Sequence, residues 1–294
     1  MLFSEWFIIF HKVYCSEILS YDCCREYEII NQKYLYPIHD LKLTDIKPLH
    51  IHQCVNTAKD YSNSRIRKVY FLIHRIFNEA VVNDYCSDNP VKKCRPPKKQ
   101  KKSMKYFSTE QLQMFLDSDT FIARMLHLEL LTGLRRGELL ALSWENIFIE
   151  KSFINVCQTI VNAKGGCILK HTTKSNAERI VTLNSVALDI LNQIYEKDSK
   201  TGFLFTNQVG DFLSLRAYHD RYKKHFQVQK EKYSQLEYLT GHKLRHTFAT
   251  FLLQCGSDIE TVRTLLGHSN ISTTQLYVHT NFNQMKMATS NLKF

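Results

Sequence analysis

Apolar residues recur at helical spacing through the first third of the chain. Phe3, Trp6, Phe7, Phe10 and Tyr14 fall on one face of a first helix, which predicts that this face is buried in a core. Further helical segments are predicted over residues 23–35, after Pro48, and across an apolar stripe made of Ile66, Val69, Tyr70, Ile73, Phe77, Ala80 and Val81. The pattern therefore indicates a helical N-terminal region.

The pattern changes twice in the middle of the chain. Ser108 to Gln111 has the spacing of a capping box and begins a second group of helices. These helices are predicted at about 109–117, 120–132, 136–143, 186–195 and 215–226. Among them lie β-rich runs at 147–149, 153–160, 167–169 and 179–183, with turns at 163–166 and 174–177. The runs predict one small antiparallel sheet, so the fold is mainly α and belongs to the α+β class.

The last stretch places polar groups at or near helix ends. A helix that begins near His242 puts the side chains of His242 and Arg245 on one face, because they lie three residues apart. Helix boundaries beyond it are marked by Gly256, Asp258, Gly267 and the capping box Ser272–Gln275. His268 follows a glycine directly, and Tyr277 lies on the helix that the capping box begins. The stretch thus places two histidines, an arginine and a tyrosine where they could bind and act on a phosphate group.

Composition narrows the function. The chain of 294 residues has a formal net charge of +11, which favours a polyanionic partner, most simply nucleic acid. Its nine cysteines are an odd number without C-x-x-C pairs, which predicts reduced thiols and an intracellular, cytoplasmic protein. Charged residues interrupt the apolar N-terminus, so neither a signal peptide nor a membrane span is predicted.

A basic run from Lys92 to Lys102 separates the two regions. Its dense charge and its two prolines disfavour a core and a helix, so residues 92–106 are predicted to be a linker between residues 1–91 and 107–294. The cations around the fourth helix are explained equally well by a solvated surface and by a surface that faces DNA. The candidate DNA-binding residues of this helix and of the run are Arg65, Arg67, Lys68, Arg75, Lys92, Lys93, Arg95, Lys98 and Lys99.

Four segments resemble the tyrosine recombinase (phage integrase) family. They are Thr132-Gly-Leu-Arg-Arg-Gly-Glu138, His242-Lys-Leu-Arg-His-Thr-Phe-Ala-Thr250, Leu265-Leu-Gly-His268 and Thr273-Thr-Gln-Leu-Tyr277. The resemblance implies a helical, SAM-like core-binding domain over residues 1–91 and a catalytic domain over residues 107–294. It also implies a site-specific DNA recombinase (integrase) that cuts and rejoins strands through a 3′-phosphotyrosyl intermediate, with no metal, cofactor or ATP. Such an enzyme would integrate or excise a phage or conjugative element in a bacterium.

Strand exchange requires a nucleophile, cations beside the phosphate oxygens and a proton for the departing 5′ oxygen. By resemblance, Tyr277 is the nucleophile, and Arg135 and Arg245 hold the phosphate, with Arg136 as the alternative to Arg135. A guanidinium suits this task because it is a permanently charged fork of N–H donors. A tyrosine, whose unperturbed pKa is about 10, needs nearby cations and a base in order to ionise.

The remaining catalytic roles also follow from the resemblance. Lys174 is expected to be the general acid, because segment 173–183 resembles the family's lysine-bearing hairpin; Lys164 and Lys170 remain alternatives. His242 is expected to accept the tyrosine proton or to assist its transfer, and His268 to bond the phosphate. Structural roles, or no special task, are expected for Glu138, Trp144, His246 (which would orient its helix) and His279.

The expected partners are double-stranded DNA and further copies of this chain. The resemblance implies a homotetramer on two duplexes, with residues 281–294 docking on a neighbouring subunit, and allows for an accessory DNA-bending or directionality protein. Two alternatives also explain part of the pattern: a non-catalytic helix-turn-helix regulator and a type IB topoisomerase. A zinc protein is disfavoured, because neither His242 with His246 nor the cysteine spacing gives a convincing ligand set.

Overall fold

The chain forms two compact units. A computed structural model describes residues 1–100, 105–171, 178–197, 202–275 and 277, and its contacts divide the chain into unit 1, Met1–Lys102, and unit 2, Ser103–Phe294. Helices dominate both units, and two small antiparallel sheets lie in unit 2. The expected α+β class is therefore confirmed. Within the described residues, every helix is too short or too polar to cross a lipid bilayer.

Unit 1 is helical, and the apolar stripes seen in the sequence form its core. Its helices are α1 (Phe3–Tyr14), α2 (Tyr21–Tyr34), α3 (Pro48–Asn56) and α4 (Asn63–Val82). The aromatic face of α1 is buried, since Phe3, Trp6, Phe7 and Phe10 are each at most 5% exposed. This face packs on the stripe of α4, where the indole N–H of Trp6 also donates to the backbone oxygen of Ile76 at 3.1 Å.

The start of the basic run is attached to unit 1. Residues Pro90–Lys93 form a short 3₁₀ helix beside α4. The hydroxyl of Tyr70 on α4 donates to the backbone oxygens of Val91 and Cys94, at 3.2 and 2.9 Å. The predicted linker of residues 92–106 thus begins within unit 1 and extends past the division between the units.

Unit 2 contains the remaining elements. Its helices are α5 (Thr109–Leu116), α6 (Phe121–Thr132), α7 (Arg136–Leu140), α8 (Ser185–Lys197), α9 (Leu215–Lys232), α10 (His242–Gln254), α11 (Ile259–Leu266) and α12 (Ile271–Gln275). Its strands are β1 (Ile147–Phe148), β2 (Phe153–Val156), β3 (Thr159–Ala163), β4 (Gly166–Lys170) and β5 (Arg179–Thr182). Buried residues from most of these elements form one continuous core.

The strands form two sheets, so the prediction of one sheet is wrong. Strands β1, β2 and β5 form one antiparallel sheet, and β3 and β4 form a separate hairpin. The run predicted as one strand over 153–160 breaks at Cys157 and Gln158. Its inward positions are apolar at Ile154, Val156 and Ile160, but the alternation puts polar Gln158 among them, and the amide of Gln158 bonds His171 instead. The predicted turn at 174–177 lies outside the described residues.

Several helix boundaries agree with the sequence, and one does not. Ser108 and Asp258 cap α5 and α11 as expected, and Gly267, at φ 62°, ends α11. The capping box at 272–275 is wrong, because α12 begins at Ile271. Its first turn is capped by Asn270, whose side-chain oxygen accepts from the N–H of Ser272 at 2.8 Å. Tyr277 consequently lies in the turn after α12.

The nine cysteines are all free thiols. Five of them are buried, and burial raises the pKa of Cys54 to about 12, which suppresses its reactive thiolate form. Among the described residues, no group of three or more histidine, cysteine or carboxylate side chains is placed to hold a metal ion.

Gly137 allows α7 to pack directly on the hairpin. A Cβ atom at Gly137 would lie 2.4 Å from the backbone oxygen of Ile160 and 2.6 Å from the hydroxyl of Thr159. We expect Gly137→Ala to destabilise the protein by roughly 1–3 kcal/mol, because β3 must move away from α7. Gly166→Ala is the control, since a Cβ there meets nothing within 4 Å and its φ is not positive. Urea unfolding measures the stability of both variants. Equal stability of the two would contradict the direct packing of α7 on the hairpin.

Candidate active site

Arg135 lies at the junction between α6 and α7, where Gly133 ends the first helix at φ 60°. Glu138, one turn into α7, folds back on this junction. Its carboxylate accepts from the backbone N–H of Arg135 at 2.8 Å and from the guanidinium Nη1 at 2.7 Å. The guanidinium also donates through Nη2 to the backbone oxygen of Gly267 at 2.8 Å. Because a guanidinium has five N–H donors, further donors remain for a phosphate.

Arg245 occupies the interior of the same cluster. It lies on α10 and is only 1% exposed. Its Nη1 donates to the backbone oxygen of Gly133 at 2.6 Å, and its Nη2 donates to the backbone oxygen of Leu266. Arg245 therefore joins the end of α6 to the end of α11.

A third arginine, which the sequence did not single out, completes the cluster. Arg179 on β5 forms a bidentate ion pair with Glu138, at 2.7 and 3.1 Å, and its Nε donates to the backbone oxygen of Leu265 at 3.0 Å. Burial alone would raise the pKa of Glu138, but Arg179 and then Arg135 outweigh burial and lower it to about 2. The single negative charge of the Glu138 carboxylate is thus shared by two neighbouring guanidinium groups.

The C-terminal end of α11 is the common anchor of these arginines. Leu265, Leu266 and Gly267 each direct a backbone oxygen at a different guanidinium: that of Arg179, Arg245 and Arg135, respectively. The last carbonyl groups of a helix have no partner within the helix and carry partial negative charge. They therefore stabilise a concentration of cations that would otherwise repel one another. The Leu-Leu-Gly segment supplies this anchor through its backbone.

His268 and Tyr277 lie next to this anchor. Nδ1 of His268 is 2.9 Å from the hydroxyl of Thr274 on α12, which fixes the orientation of the ring. Burial and the nearby arginines, Arg245 first, lower the pKa of His268 to about 4. The rings of His268 and Tyr277 are nearly parallel, with centroids 6.2 Å apart. Burial raises the pKa of Tyr277, although Arg245 and Arg135 act in the opposite direction.

The hydroxyl of Tyr277 contacts a histidine that the sequence reasoning passed over. Nδ1 of His246 lies 2.8 Å from the Tyr277 hydroxyl, and both side chains are buried. The expectation that His246 only orients its helix is therefore wrong. His242, at the exposed start of α10, also contacts the His246 ring, with centroids 4.4 Å apart. The one signal in the sequence was spacing, since His242 and His246 lie one helical turn apart.

The structure thus brings together five of the six expected catalytic residues: Arg135, His242, Arg245, His268 and Tyr277. The sixth, Lys174, lies outside the described residues, as do His279 and the tail 281–294. Of the alternatives to Lys174, Lys164 lies in the turn of the β3–β4 hairpin and Lys170 ends β4, and both are exposed. Trp144 packs edge-on against Tyr195 at the edge of the core, as a structural residue should.

Comparison with known proteins decides the family. The model of the phage integrase family matches residues 102–284, which is more than half of the chain. The chain belongs to the phage integrase family. Its sequence is 29% identical over 240 residues to tyrosine recombinase XerC of Natranaerobius thermophilus, across 76% of this chain and 74% of that one. It is 28% identical over 271 residues to XerD of Staphylococcus aureus, across 87% and 85% of the two chains.

Solved structures agree on the fold. The Tn1549 transposon integrase in complex with transposon right end DNA has a TM-score of 0.82 at 18% identity, across 99% of both chains. A lambda integrase dimer bound to a core site has a TM-score of 0.72 at 19% identity, across 94% of this chain and 95% of that one. Family membership, relatives and fold agree with the expected enzyme class: the protein is a tyrosine site-specific recombinase.

The expected DNA-binding cations of this recombinase lie in unit 1 and fall into two groups. On α4, Arg65 and Lys68 both bond Glu26. Arg67 lies over the ring of Phe71. Arg75 donates to the Tyr27 hydroxyl and to the Tyr14 backbone oxygen, both at 3.3 Å. Arg75 is half-buried by these contacts, as Arg65 and Arg67 are, so part of each of these side chains remains on the surface. In the basic run, the cations are exposed, and one of them pairs with Asp88: Lys92, Lys93, Arg95, Lys98 and Lys99.

A buried carboxyl group supports the start of α10 in the recombinase. Glu129 on α6 is 1% exposed and accepts a hydrogen bond from the Tyr218 hydroxyl. That hydroxyl lies against Gly241, the residue before His242, where a Cβ atom would be only 2.5 Å away. Burial raises the pKa of Glu129 to about 8, although the bond from Tyr218 and the charges of Arg136 and Arg245 lower it.

This pKa predicts how stability depends on pH. The folded-state pKa of Glu129 lies above the unfolded value of 4.5. Its contribution to the free energy of unfolding is therefore complete below pH 4.5 and is lost as pH rises through about 8. In Glu129→Gln this loss is absent. At 1.36 kcal/mol per pKa unit, the variant should gain roughly 5 kcal/mol relative to wild type between pH 4 and pH 9. Urea unfolding across this range measures the difference, with exposed Glu260→Gln as control; a difference independent of pH would contradict the prediction.

Proposed function

We propose that this recombinase cuts and rejoins DNA strands through a 3′-phosphotyrosyl intermediate formed by Tyr277, and that it integrates and excises a mobile element. The observation that carries the proposal is the position of the Tyr277 hydroxyl. It lies beside His246 and His268, and although burial raises the pKa of Tyr277, the charges of Arg245 and Arg135 act against this rise. A phenol so placed is a candidate nucleophile, because nearby cations favour its ionised form.

Each residue has a defined task in the proposed reaction. The oxygen of Tyr277 attacks phosphorus as its proton passes to an imidazole, a transfer that His242 performs or assists, and the 5′ oxygen leaves with its electron pair. Arg135, with 26% of its side chain exposed, donates N–H groups to the phosphate, and buried Arg245 adds positive charge from beneath. His268 bonds the phosphate, and Lys174 protonates the departing 5′ oxygen. Religation reverses these steps, and no ATP is needed because the phosphotyrosyl link retains the energy of the broken bond.

DNA binding is divided between the two regions in this proposal. Residues 1–91 form the core-binding domain, residues 92–106 a basic linker that follows phosphates, and residues 107–294 the catalytic domain. The five exposed cations of the linker make affinity depend on salt, because each phosphate contact releases counterions. Arg67 serves the same purpose on α4, whereas Arg65 and Lys68 must first separate from Glu26.

The proposed assembly is a homotetramer on two duplexes. A structure of lambda integrase is described as a tetramer bound to a Holliday junction, and that of the Tn1549 integrase contains transposon end DNA. By likeness to these proteins, the recombinase would act on chromosomal and mobile DNA in the bacterial cytoplasm.

A nicked DNA substrate tests the proposal. The substrate carries the ends of the element, and the nick lets the released fragment diffuse away so that a covalent intermediate accumulates. We expect wild-type protein to form a protein–DNA adduct on a denaturing gel, in EDTA and without ATP. Binding of a verified site without any adduct would overturn the proposal and favour the non-catalytic regulator. Relaxation of supercoils without exchange between duplexes would favour the topoisomerase.

A further inference from the structure

The side chain that is hydrogen-bonded to the Tyr277 hydroxyl has no role in the reaction proposed above. The bonded group is Nδ1 of His246, at 2.8 Å, and the two ring centroids are 5.2 Å apart. His242, expected to take the tyrosine proton, contacts the His246 ring, with centroids 4.4 Å apart. Within the described residues, the histidine that is hydrogen-bonded to the nucleophile is therefore His246 and not the expected base His242.

The local structure holds His246 in this position. It lies in the second turn of α10, directly after the buried Arg245, and is 8% exposed. Its backbone oxygen accepts from the Thr250 hydroxyl at 2.9 Å. The other partner is equally fixed, because the backbone N–H of Tyr277 donates to the backbone oxygen of Thr274 at 3.0 Å. The contact between the two side chains thus joins two anchored segments.

The contact has the chemistry of an acid facing a base. A neutral imidazole has one nitrogen that donates and one that accepts. When the phenol donates to Nδ1, the proton of the imidazole resides on Nε2, and the phenol proton points at a lone pair. This is the geometry that proton abstraction requires, since the donor and acceptor atoms are within hydrogen-bonding distance.

We propose that His246 is the general base that takes the proton of Tyr277 during strand cleavage. This inference rests on the proposed function. As the tyrosine oxygen bonds phosphorus, its proton moves to Nδ1 of His246, and the bond from phosphorus to the 5′ oxygen breaks. The 5′ oxygen takes its proton from the general acid. In religation the imidazolium of His246 returns its proton to the phenolate oxygen as that oxygen leaves phosphorus.

Burial first, and then the surrounding charges, explain why the base is weak until DNA is bound. Burial and the groups His242, Lys243, Arg245 and His268 lower the pKa of His246 to about 3. A base this weak leaves the phenol protonated, which protects the nucleophile in the absence of DNA. A scissile phosphate at the arginines brings negative charge beside the ring, and this charge favours the imidazolium. Binding of the substrate therefore strengthens the base.

Two substitutions at His246 separate a base from a positioning residue. The side-chain oxygen of asparagine can accept the hydrogen bond of the phenol, but it cannot take the proton, whereas alanine does neither. We expect both His246→Asn and His246→Ala to slow adduct formation on the nicked substrate by about 10²–10⁴-fold. An Asn variant that cleaves like wild type would show that His246 only positions Tyr277. Full activity of both variants, with loss in His242→Asn, would return the role of base to His242.

A matched control separates effects on folding from effects on cleavage. His225 on α9 is also buried, and its ring bonds the backbone oxygen of Phe115 at 2.6 Å. His225→Asn thus measures the general cost of replacing a buried, bonded imidazole, and we expect it to cleave at the wild-type rate below its melting temperature. Thermal unfolding and DNA affinity are measured for every variant. A loss of cleavage in His225→Asn as large as that in His246→Asn would overturn the proposal.

A more acidic nucleophile gives a second readout. Fluorinated tyrosine at position 277 ionises more readily, so it depends less on a base. The ratio of wild-type to His246→Asn cleavage rates should therefore fall when this analogue replaces Tyr277. An unchanged ratio would overturn the role of base. Failure of the proposed function gives a different result, because wild-type protein would then form no adduct at all.

Discussion

Tyr277→Phe is expected to remove the covalent protein–DNA adduct completely while leaving DNA affinity and the fold nearly intact. Only the hydroxyl oxygen can bond phosphorus, so no residual chemistry is expected from the phenylalanine ring. The stability cost is about 1 kcal/mol, because a single hydrogen bond to His246 is lost and the aromatic ring remains packed. The measurement is a denaturing gel with the nicked substrate, together with binding assays on the same DNA.

Another buried tyrosine of unit 2 provides the control for this prediction. Tyr222 is 1% exposed, and its hydroxyl donates to the backbone oxygen of Leu239. Tyr222→Phe loses a comparable hydrogen bond, so it should lose similar stability and still form the adduct. If the adduct persists in Tyr277→Phe, the nucleophile is a different residue and the assignment of the site is wrong.

Glu138→Ala is expected to be the most destabilising of the substitutions considered. The carboxylate lies between the guanidinium groups of Arg135 and Arg179, and 1% of its side chain is exposed. Its removal leaves two neighbouring cations without their counterion, which typically costs 3–5 kcal/mol, or roughly 10 °C in melting temperature for a unit of this size. Cleavage should also slow strongly, because Arg135 loses the group that orients it. Thermal unfolding and the adduct assay measure the two effects.

Two further variants establish the cause. Glu260→Ala also removes a glutamate paired with an arginine three residues away, but this pair is exposed, so its loss should cost much less stability. Glu138→Gln keeps the shape of the side chain and removes only its charge. If the charge matters, Glu138→Gln is destabilised nearly as much as Glu138→Ala. A Gln variant as stable as wild type would mean that Glu138 only fills space.

The cluster explains how several arginines coexist beside the proposed phosphate site before any phosphate arrives. Glu138 supplies one negative charge, and the backbone oxygens at the end of α11 supply partial ones. These groups hold the guanidinium groups in place, so binding of a phosphate requires little reordering of side chains. Such preorganisation is the usual source of electrostatic stabilisation in enzymes.

The sequence alone determined the features that depend on neighbouring residues. Periodic apolar positions placed α1 and α4 and their buried faces, and Ser108, Asp258 and Gly267 marked helix ends, because each of these signals acts within about one helical turn. The matching motifs also identified the family, and they contain five of the catalytic candidates. Where a local signal was ambiguous, as at Ser272 and Gln158, the prediction failed.

Only the tertiary structure decided which groups meet across the chain. His246 and Tyr277 are 31 residues apart, Arg245 and Gly133 are 112 apart, and Arg135 and Gly267 are 132 apart. No local pattern encodes such pairs, because they result from the packing of α10 on α6 and α11 and from the bonds of Arg135 and Arg245 to the end of α11. Periodicity could place His246 on a face of α10, but only the path of the chain after α12 brings the Tyr277 hydroxyl to that face. The same packing turns the carbonyl groups of Leu265, Leu266 and Gly267 into the anchor of three arginines.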